Sequence, residues 1–196
     1  DLFTLGHYAN MRRRARHGNK AFFNINRHIN PTNICKDICK FCAFSANRKN
    51  PNPYTMSHEE ILSILDDSVT NRGITEVHIV SAHNPDTGLE WYLEIFSKVK
   101  ARFPHLHVKA LTAAEIHFLS EQYGLSVDAV IEKMLEYGVD SMPGGGAEIF
   151  DEDVRAFVCK GKVTSQGWLD IHQKWHEKGK QSNATMLFGH VETREH

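Results

Sequence analysis

Three cysteines lie within one segment of eight residues, at Cys35, Cys39 and Cys42, and the whole sequence contains only four. So few cysteines do not make a disulfide framework, and such clusters more often bind metals. Thiolates this close together can reach one soft metal centre, and an iron–sulfur cluster is the first candidate. Three ligands would leave one iron of a four-iron cluster open to a chelating molecule. A closed zinc site is the alternative, with Cys159 or one of 13 histidines as fourth ligand.

The same spacing also suits one face of a helix, where free cysteines behave as small buried apolar residues. Pro31 lies just upstream, and the charged residues between the cysteines give no amphipathic helix. We therefore interpret this segment as a metal-binding loop. Cys159 is interpreted as a non-ligand whose pKa is lowered by Lys160 and Lys162.

Composition favours a globular domain of ordinary kind, with 41% hydrophobic residues in a chain of 196. The 23 Lys and Arg nearly balance the 24 Asp and Glu, so neither nucleic acid nor an anionic membrane is expected as a partner. No apolar run approaches the roughly 20 residues of a membrane span, and no targeting segment is recognisable. We expect a cytoplasmic protein in a reducing compartment.

Hydrophobic periodicity predicts alternating strands and helices after an N-terminal helix over residues 2–17, whose core face is Leu2, Leu5, Ala9 and Met11. From Phe22 the side chains alternate with a period of two residues, which predicts a strand. This strand runs into the cysteine loop, which ends in the irregular segment 50–53. Further strands are expected at 75–80, 107–111, 139–142 and 183–188, and helices at 57–73, 89–103, 113–122, 126–137 and 165–178. This order predicts one α/β domain, with residues 1–20 as the N-terminal helix and 21–196 as parallel βα units.

A polar or glycine-rich loop follows each predicted strand, including a triple glycine at 144–146. If the sheet curves into a barrel, all five loops meet at one mouth, whereas an open sheet brings only some of them together. We expect substrate contacts from Asn30, His83, Glu115, Glu148 and His190. The glycines suit either a plain turn or a close approach of backbone to a ligand.

The motif Cys35-x-x-x-Cys39-x-Phe41-Cys42 after a first strand resembles the signature of the radical S-adenosylmethionine enzymes. Segments 27–35, 109–116, 142–150 and 183–190 are similar to the aminofutalosine synthases within that family. The resemblance implies a partial (βα) barrel, here truncated after about five βα units, as the N-terminal portion of a longer enzyme. It implies a [4Fe-4S] cluster on the three cysteines, with S-adenosylmethionine chelating the fourth iron.

Cofactor contacts implied by the resemblance fall on Phe41, Ser81, Ala82 and Leu187, and Ser81-Ala82 stands where the family usually has Gly-Gly. The implied reaction adds the 5′-deoxyadenosyl radical to 3-[(1-carboxyvinyl)oxy]benzoate, giving 6-amino-6-deoxyfutalosine for menaquinone biosynthesis. S-adenosylmethionine is then a substrate, and a flavodoxin or ferredoxin is the expected electron donor. The alternatives are a dehypoxanthine futalosine cyclase-type enzyme and, from another class, a zinc-stabilised binding module.

Overall fold

The computed structural model describes residues 1–46 and 51–196. Its helices are α1 (Leu2–His17), α2 (His58–Arg72), α3 (Leu89–Arg102), α4 (Ala113–Tyr123), α5 (Val127–Glu136), α6 (Glu152–Val158) and α7 (Ser165–Glu177). Its strands are β1 (Asn26–Ile29), β2 (Ile38–Cys39), β3 (Glu76–Ile79), β4 (His107–Ala110) and β5 (Cys159–Lys160). Residues 51–53 of the expected irregular segment are indeed without regular structure, whereas its first residue, Asn50, lies outside the described residues.

A parallel sheet of order β1-β3-β4 forms the centre of the fold, with Asn26 opposite Glu76 and Glu76 opposite His107. The parallel series continues past β4 as single bridges, Lys109 to Ser141 and then Met142 to Ser182. The predicted α/β class with a parallel sheet is confirmed.

The strands predicted at 139–142 and 183–188 do not form: the first is reduced to isolated bridges at Ser141 and Met142, and no residue of the second lies in a strand. Pro143, which has no backbone N–H to donate, follows the first of these segments and stops its ladder. The second segment bonds to the glycine loop instead of a strand: Thr185 Oγ1 donates to Gly144 O at 2.7 Å, and Leu187 N donates to Glu148 O at 2.8 Å.

The first strand begins at Asn26 and not at Phe22, because its partner β3 begins only at Glu76. Phe22 and Phe23 therefore extend beyond the sheet and are exposed. Backbone pairing needs a neighbouring strand as well as an alternating sequence.

Helix α1 forms where it was predicted, but the prediction that its apolar side chains face the core was wrong. None of its residues is buried, and Leu2, Leu5, Ala9 and Met11 are all exposed. Local contacts stabilise it instead: Asp1 caps it by accepting from Thr4 N, and Arg13 donates to Lys20 O.

The hydrophobic core lies between the parallel sheet and the helices α2, α3, α4, α5 and α7. Alternate apolar residues of the strands point into it, namely Ile29, Val77, Ile79, Val108 and Ala110. The opposite parity carries polar side chains such as His78 and Lys109. The sheet therefore presents its apolar face to helices, and its carboxyl ends lead into the loops that build the site.

The short strands β2 and β5 pair antiparallel, with Cys39 opposite Cys159. Together with α6 they surround a second small apolar cluster formed by Ile149, Val154, Val158 and Cys159. Neither the pairing nor α6 was predicted. Strands of two residues and a helix of seven are too short to show a measurable period. This pairing fixes one side of the cysteine loop.

Within the described part of the chain, no helix combines the length and the apolar character needed to cross a membrane.

Candidate functional site

A cavity of about 280 Å³ opens where β1, β3 and β4 end. Most of the residues expected at the site line it: Asn30, Cys35, Cys39, Phe41, Cys42, Ser81, Ala82, His83, Glu115 and Glu148. Gly145 and Gly146 of the triple glycine complete the wall. The structure thus brings the loops after the first four predicted strands to one place, as a curved sheet would.

Leu187 and His190 lie apart from this cavity. Leu187 lines a neighbouring cavity of about 410 Å³, and Glu148 lines both. His190 Nε2 is 3.1 Å from Leu187 O, and its Nδ1 is 3.1 Å from a carboxylate oxygen of Glu192. The imidazole of His190 therefore contacts its own loop.

The three cysteines at the cavity are free and half-buried. Burial raises the pKa of the Cys35 thiol, and it raises the pKa of Cys39 to about 12 although Lys162 acts in the opposite direction. In residues 1–46 and 51–196, no three His, Cys, Asp or Glu side chains converge on a single ion position. The thiols instead surround a cavity, and a donor set made only of thiols fits an iron–sulfur cluster.

Hydrogen bonds join the start of the cysteine loop to the loop after β3. Thr32 N donates to Ser81 Oγ at 3.3 Å, and Ala82 N donates to Thr32 O at 3.3 Å. The Thr32 hydroxyl donates to Tyr54 O at 2.7 Å and is buried. The Ser81 hydroxyl, which a glycine would lack, is thus part of the contact between the two loops.

Glu115 is buried and accepts three hydrogen bonds. Ser81 N and Thr112 N each donate to it at 2.7 Å, and Thr112 Oγ1 donates at 2.8 Å. The Thr112 contacts form the capping box at the start of α4, whereas the Ser81 contact reaches the cavity wall. Burial raises the pKa of Glu115, and the donors from Thr112 and Ser81 oppose that effect. Glu115 therefore holds the backbone of Ser81 in place.

The triple glycine packs closely against other protein atoms. A Cβ at Gly144 would lie 2.5 Å from Asn183 O, and one at Gly145 would lie 3.0 Å from Thr112 Cγ2. Gly146 has φ +88°, a conformation that other residues rarely adopt. The glycines thus serve the approach of neighbouring backbone, and two of them also face the cavity.

Arg155 was not recognised in the sequence, yet its buried guanidinium organises the segment after the glycines. It donates to Gly146 O at 3.1 Å and to Ile149 O at 2.8 Å, and also to Ala147 O and Val163 O. Carbonyl oxygens buried in this turn need such partners. A lone arginine in a short helix gives no sequence signal for this role.

Lys162 lines the cavity, and sequence reasoning missed it as a site residue. Its Nζ lies 2.7 Å from Glu148 Oε1 and 5.5 Å from the centre of the Phe41 ring. Burial lowers the pKa of Lys162, but the Glu148 carboxylate outweighs this and leaves the pKa raised. Lys162 lowers the pKa of Cys159, as expected, but burial outweighs this effect and leaves the pKa of that thiol raised, so the net direction differs from the expectation.

Asp37 is a second cavity residue that sequence reasoning missed. Its Oδ2 lies 2.7 Å from His83 Nδ1, and both side chains are buried. Burial raises the pKa of Asp37, but the hydrogen bond and charge of His83 outweigh it, so the pKa is below its ordinary value. The side chain of His83, expected to contact substrate, is thus paired with the cysteine loop.

Comparison with known proteins agrees with this arrangement. Residues 29–196 match the family model of the Radical SAM superfamily. The chain is 40% identical over 195 residues to an aminodeoxyfutalosine synthase of Thermus thermophilus, covering 100% of this chain and 52% of that protein. It is 37% identical over 190 residues to a 5-amino-6-(D-ribitylamino)uracil–L-tyrosine 4-hydroxyphenyl transferase of Microcystis aeruginosa, covering 94% of this chain and 50% of the relative.

The chain spans about half the length of these curated relatives. Among solved structures, methylornithine synthase has the same fold, with a TM-score of 0.65 and 19% identity over 87% of this chain and 46% of that one. Enzymes of this family use a [4Fe-4S] cluster and S-adenosylmethionine. The match over residues 29–196 and the cysteine-lined cavity lead to one conclusion: the chain belongs to the Radical SAM superfamily.

Proposed function

We propose that this chain forms the cluster-binding and S-adenosylmethionine-binding part of a transferase that makes 6-amino-6-deoxyfutalosine for menaquinone biosynthesis. The observation that carries the proposal is the meeting of Cys35, Cys39 and Cys42 with the loops after β3 and β4 around one cavity. The 40% identity to an aminodeoxyfutalosine synthase over the whole chain supports the reaction.

In this proposal the three cysteines ligate the cluster, and the bound cluster with S-adenosylmethionine supplies the 5′-deoxyadenosyl radical. The backbone of Ser81 and Ala82 receives the methionine amine, because Glu115 holds Ser81 at the cavity wall. Phe41 lines the same cavity and would shield a cluster bound there. The apolar cavity beside Leu187, which shares Glu148 with the first cavity, accommodates the adenosyl group.

The proposed acceptor, 3-[(1-carboxyvinyl)oxy]benzoate, carries two carboxylates. Lys162 brings an ammonium group to the cavity wall, where it is now paired with Glu148 at 2.7 Å. A carboxylate entering the cavity would compete with Glu148 for Lys162. The remaining task of the protein is to hold the acceptor against the radical and to exclude water. Asn30 lines the same cavity as Lys162 and is a further candidate contact for the acceptor.

The test uses the intact protein, reconstituted without oxygen and given S-adenosylmethionine, the enolpyruvyl benzoate and dithionite. Dithionite replaces the flavodoxin or ferredoxin that we propose as donor. We expect 6-amino-6-deoxyfutalosine as product. Accumulation of 5′-deoxyadenosine without an adenosyl adduct would refute the synthase assignment. In a parallel mixture that offers a futalosine-type substrate in place of the benzoate, consumption of that substrate would point to the cyclase.

Two cysteine variants test the ligands. Cys39→Ala should lose the cluster, while Cys159→Ala should keep its iron, because Cys159 lies opposite Cys39 in the strand pair but does not line the cavity. Iron and zinc analysis of the purified protein gives the readout. About one zinc and no iron per chain would favour the zinc-stabilised module instead.

A second candidate reaction follows from the relative in Microcystis aeruginosa, whose identity of 37% is close to that of the synthase. In that case the intact protein would transfer the 4-hydroxyphenyl group of L-tyrosine to 5-amino-6-(D-ribitylamino)uracil. Giving the same preparation the enolpyruvyl benzoate in one mixture, and L-tyrosine with 5-amino-6-(D-ribitylamino)uracil in another, separates the two reactions. Only one of the two products should form.

A further inference from the structure

The carboxylate of Asp37 is buried inside the cysteine loop, between Cys35 and Cys39, with only 2% of its side chain exposed. An ionised carboxylate is strongly disfavoured away from water unless it is paired. Its partner is His83, whose Nδ1 lies 2.7 Å away and whose side chain is 7% exposed. The proposed reaction gives Asp37 no task, so this buried pair needs another explanation.

His83 is itself held rigidly by the core. Its ring stacks flat on Phe118 of α4, with 4.9 Å between the centroids and 4° between the planes. The backbone N–H of Lys36 donates to His83 O at 3.0 Å, and Lys36 Nζ lies 4.6 Å from the centre of the Phe118 ring. Contacts therefore run from the core through Phe118 and His83 to Asp37 in the loop.

The other side of Asp37 faces the turn after β5. A Cβ at Gly161 would lie 3.4 Å from Asp37 Oδ1, and Gly161 has φ +96°. The adjacent strand pair places Cys39 opposite Cys159. Asp37 thus sits between two anchors of the cysteine loop, one at His83 and one at the β2–β5 pair.

We propose that the Asp37–His83 pair is a positioning device that fixes Cys35 relative to Cys39 and thereby controls how well the cluster is retained. This inference rests on the proposed assignment of the cysteines as ligands. Outer partners of this kind orient the ligands, and their loss commonly weakens metal binding by a factor of ten or more. His83 then acts through the loop, and neither residue needs to contact the acceptor.

The experiment compares Asp37→Asn, His83→Gln and the double variant in the intact, reconstituted protein. The rate of iron release to a chelator is measured together with the midpoint potential of the cluster and the melting temperature of the apoprotein. Each single variant should release iron about tenfold faster than the parent. Asp37→Asn should also raise the midpoint potential, because it removes a negative charge near the cluster.

The double variant tests pairing directly. Asn and Gln can hydrogen-bond to each other, so the double variant should recover slow iron release, whereas two independent losses would add. His58→Gln is the control, since His58 is also buried and its partners Trp91 and Lys98 belong to α3 and not to the cysteine loop. It should lower the melting temperature without changing the rate of iron release.

The proposal would be overturned if both single variants released iron within twofold of the parent rate. It would also be overturned if the double variant released iron as fast as the faster of the two single variants. If a single variant is recovered unfolded, the double variant decides: slow release supports the pair, and fast release from a folded double variant refutes it. If Cys39→Ala keeps its iron, the ligand assignment itself fails. If Cys39→Ala loses iron while the pair variants do not, only the positioning role fails.

Discussion

Replacing Gly144 by alanine tests why the triple glycine is needed. Its added Cβ would lie 2.5 Å from Asn183 O, 2.6 Å from Asn183 C and 2.7 Å from Ala184 Cα. All three atoms belong to the backbone, so no rotamer change relieves the clash. Of the three glycines only Gly146 has a positive φ, so the cost at Gly144 is steric and not conformational.

The expected magnitude combines two effects. Overpacking of a close contact typically costs about 1–3 kcal/mol. Moving the 183–185 segment also weakens two hydrogen bonds to its neighbours, Asn183 N to Met142 O at 3.2 Å and Thr185 Oγ1 to Gly144 O at 2.7 Å. Each bond contributes about 1 kcal/mol, so weakening both by half costs about 1 kcal/mol in all. We therefore expect Gly144→Ala to lower the free energy of unfolding by about 2–4 kcal/mol.

Urea unfolding of the intact protein measures this change in the free energy of unfolding. It is the shift of the urea midpoint multiplied by the slope of the free energy against urea concentration. Two alanine variants serve as controls. Gly145→Ala meets only the Thr112 side chain at 3.0 Å, which can move, so its cost should be about 1 kcal/mol or less. Gly6→Ala lies in an exposed helix with nothing within 4 Å and should stabilise by about 0.5–1 kcal/mol. Equal costs at Gly144 and Gly145 would refute the steric argument.

Two other predictions concern stability. Burial, and then the charge of His176, lower the pKa of His172 to about 4. Below about pH 6.5 the unfolded chain takes up this proton first, so stability should fall by up to about 1.4 kcal/mol per pH unit toward pH 4. Urea midpoints across this range should show a flatter slope for His172→Gln, and an unchanged slope would contradict the assignment. Arg155→Lys leaves buried carbonyls without donors and should lower the free energy of unfolding by about 1–3 kcal/mol. Arg102→Lys, at an exposed pair with Asp66, should change it by less than about 1 kcal/mol in the same urea assay, and equal costs would refute the role of burial.

Sequence reasoning was most successful where a pattern is local. The helix predicted at 57–73 forms at 58–72 with a capping box of Ser57 and Glu60, and the helices at 89–102 and 127–136 match their periodicity closely. Helix α1 shows the limit of such patterns, because a helix can form from its own hydrogen bonds while its apolar side chains find no partner.

The sequence by itself determined the parallel α/β class, the cysteine loop after the first strand and most residues of the cavity wall. The fold class, the cysteine loop and the polar loop residues depend on residue type and on strand and helix periods, which are local properties, whereas Phe41, Ser81 and Ala82 were implied by the family resemblance. Only the tertiary structure decided that Lys162 and Asp37 join the wall and that Leu187 lies in a neighbouring cavity. The two-residue pairing of β2 with β5 and the burial of His83 against Phe118 bring together segments far apart in the chain, and no period in the sequence encodes such contacts.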